Sequence, residues 1–315
     1  MDSYRTDCLV IGAGLAGAAY ALVAARAGLK VALVSRGSDF DANSDRAQGG
    51  IIYDTAGADG LLAQDILEAS AGSANPAAVN HLVEHGPAAV EELLMGAHPV
   101  EFDREPDGSL QFTREGGHSA RRIIHARDMT GHAILKSVSQ QVAEEPNITR
   151  YTGATAVDLL TLSHNAEGAA YRYAPLTCFG AWILLPDAAE PVAFIAKKTI
   201  LATGGLGQIY QHSTNWAGSV GHGVAMAYRV GARVIDMEYV QFHPTVLWLG
   251  QGSTGQQPLI SEALRGEGAV LRDSDGRRFM VDRHPLAELA PRDVVASAVV
   301  DVMSAEGSDH IWLDA

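Results

Sequence analysis

Three glycines set the first chemical expectation. In Val10-Ile11-Gly12-Ala13-Gly14-Leu15-Ala16-Gly17 they fall at the spacing G-x-G-x-x-G. Gly12 would make a tight turn, Gly14 would let backbone approach a pyrophosphate, and Gly17 would let helix pack closely on strand. The anion would rest on the helix N-terminus, where unpaired N–H groups and the dipole favour negative charge. A glycine-rich turn with no ligand is the structural alternative. The flanking pattern of strand, helix and strand argues for the dinucleotide site. An acidic residue to hold a ribose is expected about 20 residues further on, but Ser35 and Arg36 stand there. Ser35 could hydrogen-bond a ribose and Arg36 could neutralise a phosphate. The fingerprint does not separate FAD from NAD. Two more glycine-rich turns, Gln48-Gly49-Gly50 and Ala202-Thr203-Gly204-Gly205, suit a long extended cofactor, because glycine removes the side chain from a close approach to a flat ring.

A second set of residues could handle anions and protons. Glu262 and Arg265 are spaced i and i+3, so on a helix or tight turn they share a face. His243 sits between Phe242 and Pro244 in an apolar run, which also suits a packed histidine. Arg292 precedes Asp293. Taken alone that is a surface ion pair of little energetic worth. Arginine holds its proton too tightly to be an ordinary base, so a proton-transfer role needs burial and neighbouring charges. Glu115 lies in 111–127, a segment rich in Arg, His and Gly with little apolar periodicity, which reads as a functional loop. A solvated loop charge is the alternative for Glu115.

The elements that must position these groups follow from periodicity and turn residues. Cys8–Ile11 reads as a buried strand, Gly14–Ala27 as an alanine-rich helix stopped by Gly28, and Val31–Ser35 as a second strand. That unit opens a doubly wound sheet. Helices are expected over 61–68, 76–95, 130–144 and 221–230. Short strands at 156–160, 181–185 and 192–195 read as an inserted β-meander, and 198–202 as a separate buried strand. The fold class is therefore α/β: a Rossmann-like domain over 1–236 with an inserted meander. Residues 237–315 begin a second, capping domain.

Bulk properties bound the partners. The chain has 315 residues, enough for two domains or one with an insertion. The formal charge of −14 argues against nucleic acid, because phosphate binding needs positive surface. The two cysteines, Cys8 and Cys178, suggest neither a disulfide framework nor a metal site. No signal peptide and no membrane-spanning run is evident. The expectation is a reduced, soluble, cytoplasmic protein.

The motifs occur in a recognisable order. After the fingerprint come Ala47-Gln48-Gly49-Gly50, Thr113-Arg114-Glu115-Gly116-Gly117-His118-Ser119 and Ala202-Thr203-Gly204-Gly205. Then follow Gln241-Phe242-His243-Pro244-Thr245, Ser261-Glu262-Ala263-Leu264-Arg265-Gly266-Glu267-Gly268 and Ala290-Pro291-Arg292-Asp293. Together they resemble the L-aspartate oxidase family, within the succinate dehydrogenase and fumarate reductase flavoprotein superfamily.

The resemblance implies FAD-dependent oxidation of L-aspartate to iminoaspartate for NAD and quinolinate biosynthesis, with electrons passing to oxygen or fumarate. It also implies quinolinate synthase as a partner. FAD contacts are implied at Gly12, Ala13, Gly14, Leu15, Ala16, Gly17, Ser35, Arg36, Asn43, Ser44, Ala47, Gln48, Gly49, Gly50, Thr155, Ala156, Ala202, Thr203, Gly204 and His222. Substrate contacts are implied at Glu115, His243 and Ser261. Proton transfer is implied at Arg292, assisted by Glu262 and Arg265. Asn43 falls where the succinate dehydrogenase branch has a flavin-linking histidine, so the FAD is expected to be non-covalent. A carboxylate at Glu115 suits the ammonium that distinguishes aspartate from succinate.

His222 departs from the family's pattern, which has an aspartate between the two glycines. The pattern also continues past the place of Ala315, so the chain reads as C-terminally truncated. The competing expectations are a soluble fumarate reductase or succinate-oxidising flavoprotein, and an inactive flavin-binding fragment.

Overall fold

A computed structural model describes residues 3–38, 40–55, 60–114 and 117–315. The chain opens with β1 (Ser3–Ile11), α1 (Leu15–Arg26) and β2 (Val31–Ser35), continues through β3 (Ile51–Ile52), α2 (Leu61–Ala69), α3 (Pro76–Leu94), β4 (Ile123–Ile124) and α4 (Thr130–Glu144), and then enters β5 (Ile148–Thr152). Next come β6 (Thr155–Thr161), α5 (Leu162–Asn165), β7 (Cys178–Leu184), β8 (Val192–Leu201), β9 (His212–Ser213) and α6 (His222–Arg229). The last part holds β10 (Gly255–Gln256), α7 (Ala263–Gly266), β11 (Val270–Arg272), α8 (Arg292–Glu306) and β12 (Trp312–Asp314).

One six-stranded sheet organises the first two thirds, in the order β5-β2-β1-β8-β7-β6. Strands β5, β2, β1 and β8 run parallel, and β8, β7 and β6 are antiparallel neighbours. The alternation of a pleated strand explains the two cores. From β1 and β2, Cys8, Val10, Val31 and Leu33 face one core together with α1 and α4. Leu9, Ile11, Ala32 and Val34 face the other, with the meander strands and Met226 and Val230 at α6. Buried Ala18, Ala21, Ala24 and Ala25 give α1 a smooth face against the sheet.

The boundary expected inside 192–202 does not exist. β8 is one continuous strand that pairs with β7 at its start and with β1 over residues 193–201. The exposed pair Lys197 and Lys198 lies within it. The meander is thus one flank of the main sheet, and β8 is the strand it shares with the parallel half. A third, separate core gathers Leu271, Phe279, Met280, Val295, Ala298 and Val302, beneath α8 and the β11–β12 pair. No helix among the described residues is long and apolar enough to cross a membrane.

Candidate functional site

The C-terminal end of β1 meets the end of β8 at the glycine turn. Gly12 has φ +110°, and a Cβ there would lie 2.2 Å from the Ala202 carbonyl oxygen. A Cβ on Gly17 would lie 1.9 Å from the Gly12 carbonyl oxygen. Both glycines are therefore required by close backbone approach. Gly14 is the N-cap of α1 and provides no side-chain cap. Ser44 Oγ accepts from Leu15 N at 3.2 Å, bringing the loop after β2 over this helix end.

A cavity of about 570 Å³ opens along this edge. Its walls include Gly12, Ala13, Gly14, Leu15, Ala16, Ser35, Arg36, Asn43, Ser44, Thr155, Ala156, Ala202, Thr203, Gly204 and His222, all singled out from the sequence. Gly17 lies beneath the turn and serves its packing. Ala47, Gln48, Gly49 and Gly50 are not among the cavity walls. The Ala47 carbonyl accepts from Gly131 N at 2.8 Å. A Cβ on Gly50 would meet Ile123 Cγ2 at 2.2 Å and Ile124 O at 2.5 Å, so close contact with β4 is what requires this glycine. Among the described residues Gln48 Oε1 and His118 Nδ1 are buried without hydrogen-bond partners, as expected of groups that meet a ligand. Ser35 Oγ donates to the Gly37 carbonyl at 3.0 Å, which commits its proton locally.

Sequence reasoning missed Trp216, which also lines the cavity. Asn43 Oδ1 accepts from Trp216 N at 2.7 Å, and Asn43 Nδ2 donates to Asn215 Oδ1 at 3.2 Å and Ser219 Oγ at 3.0 Å. Asn43 thus staples the loop after β2 to the loop before α6. The only hint in the sequence is an isolated tryptophan in a run of Ser, Thr, Asn and Gly.

The second cluster assembles around one carboxylate. Arg292 Nε donates to Glu262 Oε2 at 2.9 Å, and Arg265 Nη2 donates to Glu262 Oε1 at 2.7 Å. Arg265 is 5% exposed and also donates to the Glu288 carbonyl at 2.6 Å. His243 Nε2 lies 3.9 Å from Glu262 Oε1. Its Nδ1 lies 2.8 Å from Thr245 O and 3.2 Å from Thr245 N. The first contact needs a proton on Nδ1 and the second a lone pair, so backbone geometry accommodates either tautomer. Burial lowers the His243 pKa, and the arginines add to this while Glu262 opposes it. Burial likewise lowers the pKa of Arg265, against the opposing pull of Glu262. A half-buried set of cations balanced on one shared carboxylate can bind a carboxylate ligand. Arg292, which in isolation reads as the partner of Asp293, is paired with Glu262.

Ser261 Oγ approaches Asp128 Oδ1 at 3.4 Å, tying this cluster to the segment before α4. Glu115 lies outside the described residues. The segment after it is anchored by Asp65 of α2, whose Oδ2 accepts from Ser119 N at 2.9 Å, Ser119 Oγ at 3.0 Å and Arg122 Nη1 at 2.6 Å. Among the described residues no group of three or more His, Cys, Asp or Glu could hold a metal ion.

Comparisons with known proteins agree with this geometry. The sequence model of the FAD binding domain family matches residues 7–315. The chain is 45% identical over 314 residues to L-aspartate oxidase from Streptomyces coelicolor, covering 98% of this chain and 52% of that one. It is 44% identical over 308 residues to L-aspartate oxidase from Halobacterium salinarum, covering 97% of this chain and 57% of that one. The fold superposes on E. coli quinol fumarate reductase FrdA with a TM-score of 0.84 at 28% identity, covering 98% of this chain and 52% of that one. The chain spans about half the length of the curated relatives it matches. Its cofactor is FAD, and the turn that a Cβ on Gly12 or Gly17 would block fits such a dinucleotide. The chain belongs to the FAD binding domain family.

Proposed function

We propose that the protein oxidises L-aspartate to iminoaspartate. The observation that carries this is the Arg292–Glu262–Arg265 chain beside His243, in a chain that also forms a dinucleotide groove. The 45% identity to an L-aspartate oxidase supports the same substrate. FAD, when bound, accepts the two electrons removed from the substrate. His243 and Ser261 hold a substrate carboxylate, and Glu115 pairs with the ammonium. Arg292 binds the anion and handles the proton, with Glu262 and Arg265 sharing its charge. Residues 1–236 form the cofactor domain and 237–315 begin the capping part, whose separate core under α8 supports that division. Electrons pass on to oxygen or fumarate, iminoaspartate passes to quinolinate synthase in NAD biosynthesis, and the setting is the cytoplasm.

The likeness to fumarate reductase favours a second reading, succinate oxidation or fumarate reduction. The test mixes the flavin-loaded protein anaerobically with aspartate or with succinate and follows flavin bleaching. Bleaching by aspartate alone supports the oxidase, bleaching by succinate alone supports the second reading, and no bleaching by either marks an inactive flavin-binding form. Acid precipitation of the same sample should release the flavin, because Asn43 offers no imidazole for a covalent link. Flavin retained in the pellet would refute the non-covalent assignment.

A further inference from the structure

One end of the cofactor groove holds a contact that a simple dinucleotide site does not need. At the C-terminal end of β2, Arg36 Nη1 lies 3.4 Å from Nδ1 of His222, the first residue of α6. The same guanidinium sits over the Trp216 ring, 5.5 Å from its centroid. Trp216 is held in turn. Asn43 accepts from its backbone N–H, and its ring lies so close to Gly218 that a Cβ there would be 1.6 Å away. Arg36, Asp41, Trp216 and His222 all line the cavity. In a doubly wound fold the end of the second strand receives the ribose of the adenosine half.

We propose that Trp216, Arg36 and His222 form a pH-gated clamp on the adenosine half of FAD, an inference that rests on the cofactor assignment above. Arginine can only donate, so its contact with Nδ1 requires the lone pair of a neutral His222. Protonation of His222 removes that acceptor and sets two cations against each other. The start of α6 adds to the penalty, because a helix N-terminus disfavours positive charge. Arg36 then leaves its place over Trp216, and the wall that would hold the adenosine half loosens.

The other charged groups near His222 do not reverse this. Arg229, on the same helix, is paired with Asp158 of β6. Arg233, on the next loop, lines the cavity and is itself cationic. Asp41 is kept anionic below the usual carboxylate range by the Ser38 backbone N–H and hydroxyl. It therefore does not titrate with His222.

The clamp is closed while His222 is neutral and opens when it is protonated. If only the neutral form of His222 holds the clamp, FAD affinity should weaken about tenfold between pH 8 and pH 5.5. The experiment titrates the flavin-free full chain with FAD and with FMN, following flavin fluorescence at both pH values. FMN carries the isoalloxazine but no adenosine. The expected result is a roughly tenfold pH effect on FAD and none on FMN, abolished for FAD in His222→Asn. Arg36→Met should bind FAD at pH 8 as weakly as the unaltered protein does at pH 5.5. Continued FMN binding by each variant verifies its fold. An unchanged pH effect in His222→Asn, or an equal effect on FMN, overturns the clamp while leaving the cofactor assignment intact. Failure of FAD and FMN alike to bind the unaltered protein overturns both.

Discussion

Arg292 reaches across thirty residues of chain to donate its Nε proton to Glu262 at 2.9 Å, although Asp293 is its immediate neighbour. The same carboxylate accepts from buried Arg265 at 2.7 Å. Its loss would leave a buried guanidinium without its counter-charge. Glu262→Gln should therefore cost about 2 kcal/mol of stability, reduced from the fully buried case because Glu262 is partly exposed. Midpoints of urea unfolding would measure it. A change of under about 0.5 kcal/mol, the usual range for surface substitutions, would show that Arg265 finds adequate compensation at the Glu288 carbonyl.

Asp65 offers a stability test of the segment that follows Glu115. Burial pushes its pKa up, but hydrogen bonds from the Ser119 backbone and hydroxyl and from Arg122 outweigh this and hold it below 3.8. A depressed carboxylate stabilises the fold above its unfolded pKa, and the contribution is lost as pH falls through the folded value. Stability should thus decline below about pH 4 in part through Asp65. Asp65→Asn should cost about 1–2 kcal/mol at pH 7, because Arg122 is only 3% exposed but keeps Asp54 at 3.3 Å from its Nε. The variant should also show a shallower decline from pH 4 to pH 3. Parallel pH profiles for the two proteins would place the acid sensitivity elsewhere.

The β1–α1–β2 unit was legible because its glycines, alanine-rich helix and apolar runs all point to one arrangement. The β8 boundary was not. Lys197 and Lys198 interrupt an apolar run and read as a strand end, yet at this point the strand is paired with β1 while its pairing with β7 has ended. Gly50 reads from the sequence as clearance for a flat ring; its close approach to Ile123 and Ile124, far along the chain, is a further demand with no local trace. Trp216 carried no periodic signal. Its contacts with Arg36 and Asn43 are ones that only the fold brings about. Glu262 and Arg265 could be paired from i, i+3 spacing, but the contact of Glu262 with Arg292 is long-range and had no local trace.

Gly17→Ala tests the fingerprint directly. The added methyl would sit 1.9 Å from the Gly12 carbonyl oxygen, a backbone atom that cannot rotate away. Helix α1 must then shift from the turn, with a stability cost of about 1–3 kcal/mol. FAD affinity should fall further than this loss alone implies, because the same shift moves the N-terminus of α1. Calorimetric unfolding of the flavin-free variant together with FAD titration separates the two effects. Normal FAD affinity in a destabilised variant would restrict Gly17 to packing.

Arg292→Lys separates anion binding from proton handling. Lysine keeps the charge but loses the planar fork, and with it the Nε donor that reaches Glu262. If Arg292 only attracts a dicarboxylate, substrate affinity should weaken modestly, by about 1 kcal/mol, while turnover stays within a few-fold of normal. If it also handles the proton, the lost interaction belongs to the transition state. Turnover with aspartate should then fall by two decades or more, about 3 kcal/mol, while aspartate still perturbs the flavin spectrum. We propose the second outcome, because Arg292 shares the Glu262 carboxylate with buried Arg265. Steady-state turnover and spectral titration on the same preparation supply both quantities. Near-normal turnover in the lysine variant would remove Arg292 from proton transfer and leave it as a binding residue.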